Sequence, residues 1–255
     1  MSVFGQYARY YDLLYRDKDY AAETAYVETL LQRFGCSGRD ILELGCGTGR
    51  HAVLLAANGY QVQGIDFSVE MLETAKTATK QLPETVRARL AFERGDIRSY
   101  RAGRKFGAVI SLFHVMSYQT TNDDLEAAFE TAAQHLDRGG IFLFDCWYGP
   151  GVLTEPPEER TRDLGDEMIA VHRRAQPIML PNDNCVDVRY TIDVTDKKTG
   201  GKDRYHETHR MRYLFVPEIA LLMDQVGMAL VHYESWLTGA APGFNTWNLM
   251  VVGRK

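Results

Sequence analysis

The sequence predicts an α/β protein in which helices flank a parallel sheet. From Ile41 onward, short apolar runs alternate with stretches whose apolar residues recur at helical spacing. A glycine-rich turn also follows the first apolar run, where a strand of an open α/β sheet leads into its helix. The chain has 255 residues, of which 45% are hydrophobic and 25% are charged, so it can bury a sizeable core.

The alternating segments predict the elements up to residue 150 in order. The aromatic-rich start of the chain leads into a first helix over residues 19–31. Five parallel strands are expected at 41–44, 61–66, 90–94, 108–113 and 141–144. The helices between them are expected at 52–58, 69–80 and 123–136, the last of which ends before Gly139 and Gly140.

After residue 150 the pattern changes to antiparallel structure. Apolar and polar residues alternate from Val186 to Val194, and the chain from 205 to 214 can return as the second strand of a hairpin. We therefore expect residues 151–213 to form an antiparallel β insertion that walls an acceptor pocket or joins two subunits in a homodimer. Residues 1–150 and 214–255 would form the core, with an N-terminal aromatic helical lid, a helix at 217–225 and strands at 230–236 and 247–252.

Composition and charge narrow the function classes. Lys and Arg number 29 against 34 Asp and Glu, and the net charge of −5 argues against a nucleic-acid partner. No apolar run reaches the roughly 18 residues of a membrane span, and the first residues do not read as a secretion signal. Four scattered cysteines predict reduced thiols. We expect a cytoplasmic protein without a membrane partner.

The most informative stretch is the glycine loop at Gly45, Gly47 and Gly49. It is either a bare strand-to-helix turn or a place where a ligand approaches the backbone closely. A dinucleotide site would need its third glycine at position 50, which is Arg50, and Glu43 would repel a pyrophosphate. S-adenosylmethionine fits better, because it carries a sulfonium and an ammonium and no phosphate.

Further acidic residues lie where an adenosine would need them. Asp66 ends the second strand, 21 residues after Gly45, and can accept hydrogen bonds from both ribose hydroxyls. Phe67 offers a flat face to adenine, and Asp96 can accept from the adenine amino group. Each acid alone could be a helix N-cap or turn residue. Together, at the ends of successive strands, they predict a cofactor site.

These motifs resemble those of the class I S-adenosylmethionine-dependent methyltransferases. Glu43-x-Gly45-x-Gly47-x-Gly49 is similar to their first motif, Asp66 to their ribose-binding acid, and Gly95-Asp96-Ile97 to their adenine-binding turn. The resemblance implies a Rossmann-like, seven-stranded, mostly parallel sheet with helices on both faces and a final antiparallel strand. The cofactor-binding residues predicted in this part of the chain are Glu43, Gly45, Cys46, Gly47, Asp66, Phe67, Asp96, Ile97 and Leu112.

A narrower resemblance is to the N-methyltransferases that act on nucleotide-linked deoxyamino sugars. It rests on Tyr11-Asp-Leu-Leu-Tyr15, Lys18-Asp19-Tyr20, Gly103-Arg-Lys-Phe106, Ser111-Leu-Phe113 and Ser117-Tyr118. Those enzymes also carry an antiparallel insertion after the fifth strand. The resemblance implies that Tyr11, Tyr15 and Tyr20 fold over the cofactor.

The acceptor side is predicted from residues that follow strands. His114 and Tyr118 either pack the turn or act as the catalytic base, and Trp147 and Tyr148 either cap the core or contact the substrate. His206 and His209 would face opposite sides of a strand, so no metal site is expected. The sequence predicts methyl transfer to a small molecule, with an amino sugar as the leading acceptor. The alternatives are an O-methyltransferase, a non-catalytic cofactor-binding module and, least favoured, a dehydrogenase.

Overall fold

A computed structural model describes residues 13–36 and 38–255 of the chain. The core strands are β1 Asp40–Leu44, β2 Gln61–Asp66, β3 Leu90–Arg94, β4 Phe106–Ser111, β5 Leu136–Tyr148, β10 Ala229–Ser235 and β11 Asn248–Arg254. The helices are α1 Tyr20–Arg33, α2 Arg50–Ala57, α3 Val69–Thr79, α4 Glu84–Arg87, α5 Asn122–His135, α6 Gly149–Thr154 and α7 Val216–Gln225. The four strands β6 to β9 lie between α6 and α7.

The core sheet has the order β3-β2-β1-β4-β5-β11-β10. The strands from β3 to β5 in this order are parallel, and β11 pairs antiparallel with β5. This order confirms the predicted α/β fold class and the antiparallel final strand. Because β1 pairs with both β2 and β4, the chain leaves β1 and β4 toward opposite sides, which opens a crevice at their carboxyl ends.

Two hydrophobic layers hold this sheet between its helices. Leu42 and Val109 pack with α5 and α7 on one face, and Ile41 and Ile110 pack with α1, α2 and α3 on the other. Neighbouring strand residues point to opposite faces, so strands buried on both sides are continuously apolar. Each fully buried Leu or Ile contributes roughly 1.5–3 kcal/mol, which keeps the strand ends rigidly placed.

The insertion is a four-stranded antiparallel sheet rather than the single hairpin that the sequence predicted. Its strands are β6 Arg160–Gly165, β7 Ile169–Leu180, β8 Cys185–Asp196 and β9 Lys202–Leu214. β6 and β7 escaped prediction because their arginines and Pro177 interrupt the apolar alternation that marks a strand. The end of β9 pairs in parallel with β5 through Tyr213 and Leu214. The domain boundaries at residues 151 and 213 stay a prediction.

One face of the insertion is apolar and covers the core. Val186, Val188, Ile192 and Val194 are buried on this inner face, as the alternation predicts. Ile192 and Val194 pack with Met71 of α3, so the inner face lies over the carboxyl ends of the core strands. Across residues 13–36 and 38–255, no helix combines the length and apolar character needed to cross a membrane.

Candidate active site

A cavity of about 440 Å³ lies at the carboxyl ends of β1, β2 and β4 and is closed on one side by the insertion. This is the crevice at which open α/β sheets bind ligands. The lining includes every predicted cofactor residue within the described part of the chain: Tyr15, Tyr20, Glu43, Gly45, Cys46, Gly47, Asp66, Phe67, Asp96, Ile97 and Leu112. It also includes His114, Tyr118 and Trp147. Tyr11 lies outside the described residues.

The glycine loop is a tight backbone turn that Asp66 holds in place. Gly45 has φ +76°, and a Cβ built on it would lie 2.6 Å from Cγ1 of Val115. The Gly47 amide donates to Oδ2 of Asp66 at 2.8 Å, and the Ser68 amide donates to Oδ1 at 2.9 Å. Burial raises the pKa of Asp66 although these backbone donors lower it. Asp66 therefore orders the loop as well as facing the cavity.

Glu43 is a buried carboxyl group that keeps one oxygen unpaired. Its side chain is almost wholly buried, and Oε1 lies 4.0 Å from Nδ1 of His51. Oε2 has no hydrogen-bond partner among the described residues. Burial, and then the nearby Asp66 carboxylate, raise the pKa of Glu43 to about 8. An unpaired carboxyl oxygen at a cavity wall can accept a hydrogen bond from an ammonium group.

Aromatic residues from the start of the described chain also line the cavity. The Tyr15 ring packs edge-on against Phe113 at a centroid distance of 4.8 Å. The Tyr20 ring lies 4.5 Å from Nζ of Lys18 and 5.0 Å from the Arg50 guanidinium carbon. Lys18 also forms an ion pair with Glu23. Tyr15 and Tyr20 thus line the same cavity as the glycine loop, and the expectation that they fold over the cofactor stays a prediction.

Asp96, which is predicted to bind adenine, already accepts hydrogen bonds from Arg98, a residue that the sequence analysis did not single out. Arg98 donates to both carboxylate oxygens of Asp96, at 2.9 and 2.6 Å. These hydrogen bonds hold the pKa of Asp96 below its usual range even though burial opposes them. A ligand amino group would have to share an oxygen with Arg98, which also lines the cavity. Phe67 is 54% exposed and has the Arg94 guanidinium carbon 5.5 Å from its ring centroid, so a flat ligand could stack on the other face of the ring.

The end of β4 holds His114 in an unusual backbone conformation. Phe113 and His114 have φ values of +67° and +63°, a left-handed backbone conformation that residues other than glycine rarely adopt. The His114 amide donates to Asp145 at 3.1 Å, and Nδ1 lies 2.6 Å from Oδ2 of the same carboxylate. Burial alone would raise the pKa of Asp145, but His114 lowers it below its usual range. Asp145 therefore anchors His114 at the cavity wall.

The far wall of the cavity joins the core to the insertion. Tyr118, in the 3₁₀ turn Val115–Tyr118, has its hydroxyl 2.7 Å from Nδ1 of His209 on β9. Tyr190 packs edge-on against His209 at a centroid distance of 5.1 Å. Burial raises the pKa of Tyr118 well above its ordinary value, so its phenol is neutral at physiological pH. This wall is aromatic with one imidazole set into it.

The side chains of Trp147 and Tyr148 point to opposite faces of the sheet, because the two residues are neighbours on a strand. Trp147 lines the cavity and packs edge-on against Trp247 at 5.4 Å. Tyr148 points the other way and packs against the hydrophobic core cluster, so it is not among the described residues of the lining. The expectation that both residues face the substrate is therefore wrong for Tyr148, and for Trp147 it stays a prediction.

The structure adds residues that the sequence did not suggest, above all His209. The alternation along β9 puts His209 on the same face as Met211. The pairing of His209 with Val188 shows that this is the apolar inner face. His206, three residues earlier, is exposed and lies near Thr191 on the other face. The two histidines therefore point to opposite sides of β9, as the sequence predicts. The insertion also contributes Val188, Tyr190 and Met211 to the cavity lining.

Comparison with known proteins finds a family match that includes part of the cavity lining. Residues 41–140 match a family model described as a methyltransferase domain. The glycine loop, Asp66, Asp96 and His114 all fall in the matched segment.

Two relatives match the first part of the chain. A dTDP-3-amino-3,4,6-trideoxy-alpha-D-glucopyranose N,N-dimethyltransferase of Streptomyces venezuelae is 35% identical over 151 residues, which cover 58% of this chain and 60% of the relative. A dTDP-3-amino-3,6-dideoxy-alpha-D-glucopyranose N,N-dimethyltransferase of Streptomyces fradiae is 31% identical over 152 residues, or 59% of this chain and 56% of the relative. The matches thus span less than two thirds of either relative.

A solved structure extends the similarity over nearly the whole chain. The crystal structure of Streptomyces venezuelae DesVI superposes with a TM-score of 0.77 at 25% identity, covering 96% of this chain and 97% of that one. The likeness therefore includes the region of the insertion, which the matched sequence segments do not reach.

Proposed function

We propose that this chain, in which residues 41–140 form a methyltransferase domain, is an S-adenosylmethionine-dependent enzyme that methylates the amino group of a small molecule. The leading acceptor is an amino sugar carried on a nucleotide, the substrate class named for the two Streptomyces relatives. The product of the cofactor would be S-adenosylhomocysteine. Homodimer formation and a cytoplasmic location stay predictions.

The observation that carries the proposal is the set of acidic residues around the glycine loop. Asp66 retains acceptor capacity beyond the two amides it binds, which suits ribose hydroxyls. The unpaired Oε2 of Glu43 suits the ammonium of the methionine part. Asp96 and the Ile97 amide suit the adenine edge. These residues fit a cationic cofactor without phosphate.

When bound, S-adenosylmethionine supplies a methyl carbon whose bond to sulfur breaks, with the electron pair left on sulfur, as the acceptor lone pair forms its new bond. The protein has to hold that lone pair in line and exclude water. Tyr15, Tyr118 and Trp147 provide aromatic walls for this purpose, and such walls favour a cationic or amine-bearing acceptor. A neutral amine needs positioning more than acid-base help.

Methyl-labelled S-adenosylmethionine tests the proposal directly. The purified protein is given dTDP-linked 3-amino sugars, free glucosamine, a short peptide with a free N-terminus, and a phenol. We expect label on the amino group of a nucleotide sugar. Label on the phenol alone would make the protein an O-methyltransferase, and S-adenosylhomocysteine binding without label on any acceptor would make it a non-catalytic module.

A further inference from the structure

We propose that His209, on β9 of the insertion, is a positioning residue that holds the Tyr118 phenol and receives its proton while Tyr118 takes a proton from the ammonium form of the acceptor. The inference rests on the proposed function, because it concerns the amine that the site would methylate. It assigns the insertion a part in the chemistry beyond that of a wall.

The geometry carries this inference. The Tyr118 hydroxyl and Nδ1 of His209 are 2.7 Å apart, within hydrogen-bond distance. In the proposed arrangement the neutral phenol donates to that nitrogen, and His209 carries its own proton on Nε2. Nε2 lies 3.4 Å from Oε2 of Glu207, so the carboxylate faces the side of the ring that bears the proton. His209 is only 4% exposed, and the arrangement is therefore held by packing.

Within residues 13–36 and 38–255, charged and titratable groups from several elements face this pair. Tyr15 comes from the start of the described chain, Arg173 from β7, Tyr190 from β8 and Glu207 from β9. Arg173 lies over the Tyr190 ring at 4.6 Å. On the core side, His114 is paired with Asp145. Both Tyr118 and His209 line the cavity, and the Tyr118 hydroxyl lies within hydrogen-bond distance of the His209 imidazole.

The proposed step moves protons and changes no other bond. An N–H proton of the bound ammonium passes to the Tyr118 oxygen, and the phenolic proton passes to Nδ1 of His209. The acceptor nitrogen keeps the electron pair of the broken N–H bond as its nucleophilic lone pair. His209 becomes an imidazolium beside the Glu207 carboxylate, and because His209 lines the cavity it can return its proton to water between turnovers.

The relay would matter most where the acceptor amine is protonated. Two pH units below the pKa of that amine, only about 1% of it is neutral. Above that pKa the lone pair is available without help. The contribution of His209 should therefore depend on pH, whereas a role in packing alone would not.

The test measures kcat at saturating acceptor against pH for four variants: His209→Asn, Tyr118→Phe, their double variant and Glu207→Gln. The acceptor is the amine of the labelling panel on which the wild type is fastest. His206→Asn is the matched control, since it alters a histidine on the exposed face of the same strand. S-adenosylhomocysteine affinity, measured by calorimetry, shows whether each variant is folded with an intact cofactor site.

For His209→Asn we expect kcat to begin its fall on the acidic side at a higher pH than in the wild type, closer to the pKa of the amine. The loss of kcat should be about 10- to 100-fold two pH units below that pKa, and less than about threefold above it. Tyr118→Phe should match it, the double variant should lose no more than the worse single variant, and Glu207→Gln should lose less. His206→Asn should match the wild type.

A His209→Asn variant that binds S-adenosylhomocysteine normally and keeps the wild-type profile would overturn the relay. An equal loss at every pH would overturn it as well, because that result indicates packing. If His209→Asn does not fold, Glu207→Gln and Tyr118→Phe decide by the same criterion. A wild type that methylates no amine would instead overturn the proposed function, and the relay with it.

Discussion

The cofactor side and the acceptor side of the cavity are built in different ways. On the cofactor side, the contacts that order the site join residues close in sequence: the Gly47 amide binds Asp66, and Arg98 binds Asp96. On the acceptor side, Tyr118 contacts His209 across 91 residues and two sheets. A cofactor loop can therefore be read from a motif, whereas the acceptor wall exists only after the insertion has docked.

The two sides also differ in chemistry. The side proposed for the cofactor offers carboxylates and backbone amides beside Tyr20, His51 and Phe67, whereas the side proposed for the acceptor is lined by aromatic rings and by His114 and His209. Changes on the first should alter cofactor affinity, and changes on the second should alter turnover while affinity stays the same. Four substitutions test this division.

The largest effect is expected for Asp66→Ala. The change removes the acceptor for the ribose hydroxyls and the anchor of the Gly47 amide. Charge-assisted hydrogen bonds of this kind contribute about 2–4 kcal/mol in total, or roughly 30- to 700-fold in Kd. Calorimetric titration with S-adenosylhomocysteine measures the loss, and Asp66→Asn, which keeps one oxygen, should lose less. An unchanged Kd for Asp66→Ala would remove this residue from the ribose site.

Tyr190→Ala should lower turnover of the acceptor and leave cofactor affinity unchanged, the opposite of the result expected for Asp66→Ala. The ring supports His209 and faces the acceptor, so its loss should lower kcat/KM for the acceptor by about 10-fold, or 1–2 kcal/mol. Cofactor affinity should stay within about twofold, because an aromatic contact on this wall supports the acceptor alone. Thr191→Ala, next on β8 but on its outer face, is the control and should be near wild type in both measurements. A weakened affinity for S-adenosylhomocysteine in Tyr190→Ala would break the proposed separation of the two sides.

Glu43 predicts a pH dependence on the cofactor side. Its pKa is raised from an ordinary 4.5 to about 8, so between these values the folded state keeps a proton that the unfolded state has lost. The stability of the ligand-free protein should therefore fall as pH rises through this window. Glu43→Gln has no titratable group at this position, so the fall of its thermal stability with rising pH should be smaller by the contribution of Glu43.

The same group predicts proton release on binding. A cationic cofactor favours the carboxylate, so binding at pH 7 should release close to one proton in the wild type. Calorimetry of S-adenosylmethionine binding in two buffers of different ionisation enthalpy measures this release. Equal proton release by wild type and Glu43→Gln would show that another group titrates.

The smallest effect is expected for His114→Ala. If the acceptor is an amine, turnover at pH 8 should fall less than about tenfold, because alignment and not a single base drives the transfer. A hydroxyl acceptor would instead require the full base contribution of ~10² to 10⁴ at every pH. Rate profiles against pH distinguish the two cases. A loss above about a thousandfold that does not vary with pH would contradict transfer by alignment.

Much of the core was predictable, and the misses have physical causes. The predicted strands 61–66 and 90–94 match β2 and β3 because each is a short run with apolar residues bounded by turns, although β3 is an edge strand in which only Phe92 is buried. The prediction missed β6 and β7 because solvated strands rich in arginine lack that signature. Trp147 and Tyr148 were grouped because both follow a strand, yet neighbouring strand residues face opposite sides.

The sequence by itself determined the cofactor loop and the α/β core, because glycine at positive φ, an acid at the end of a strand and periodic apolar residues act over short distances. Only the tertiary structure decided that His209 meets Tyr118, that Arg98 binds Asp96 and that no described residue forms a hydrogen bond with Oε2 of Glu43. The reason is register: a slip of one residue between β8 and β9 would turn His209 outward and His206 inward. That register depends on the turn between the strands and on what their inner face packs against, which no single stretch of sequence records.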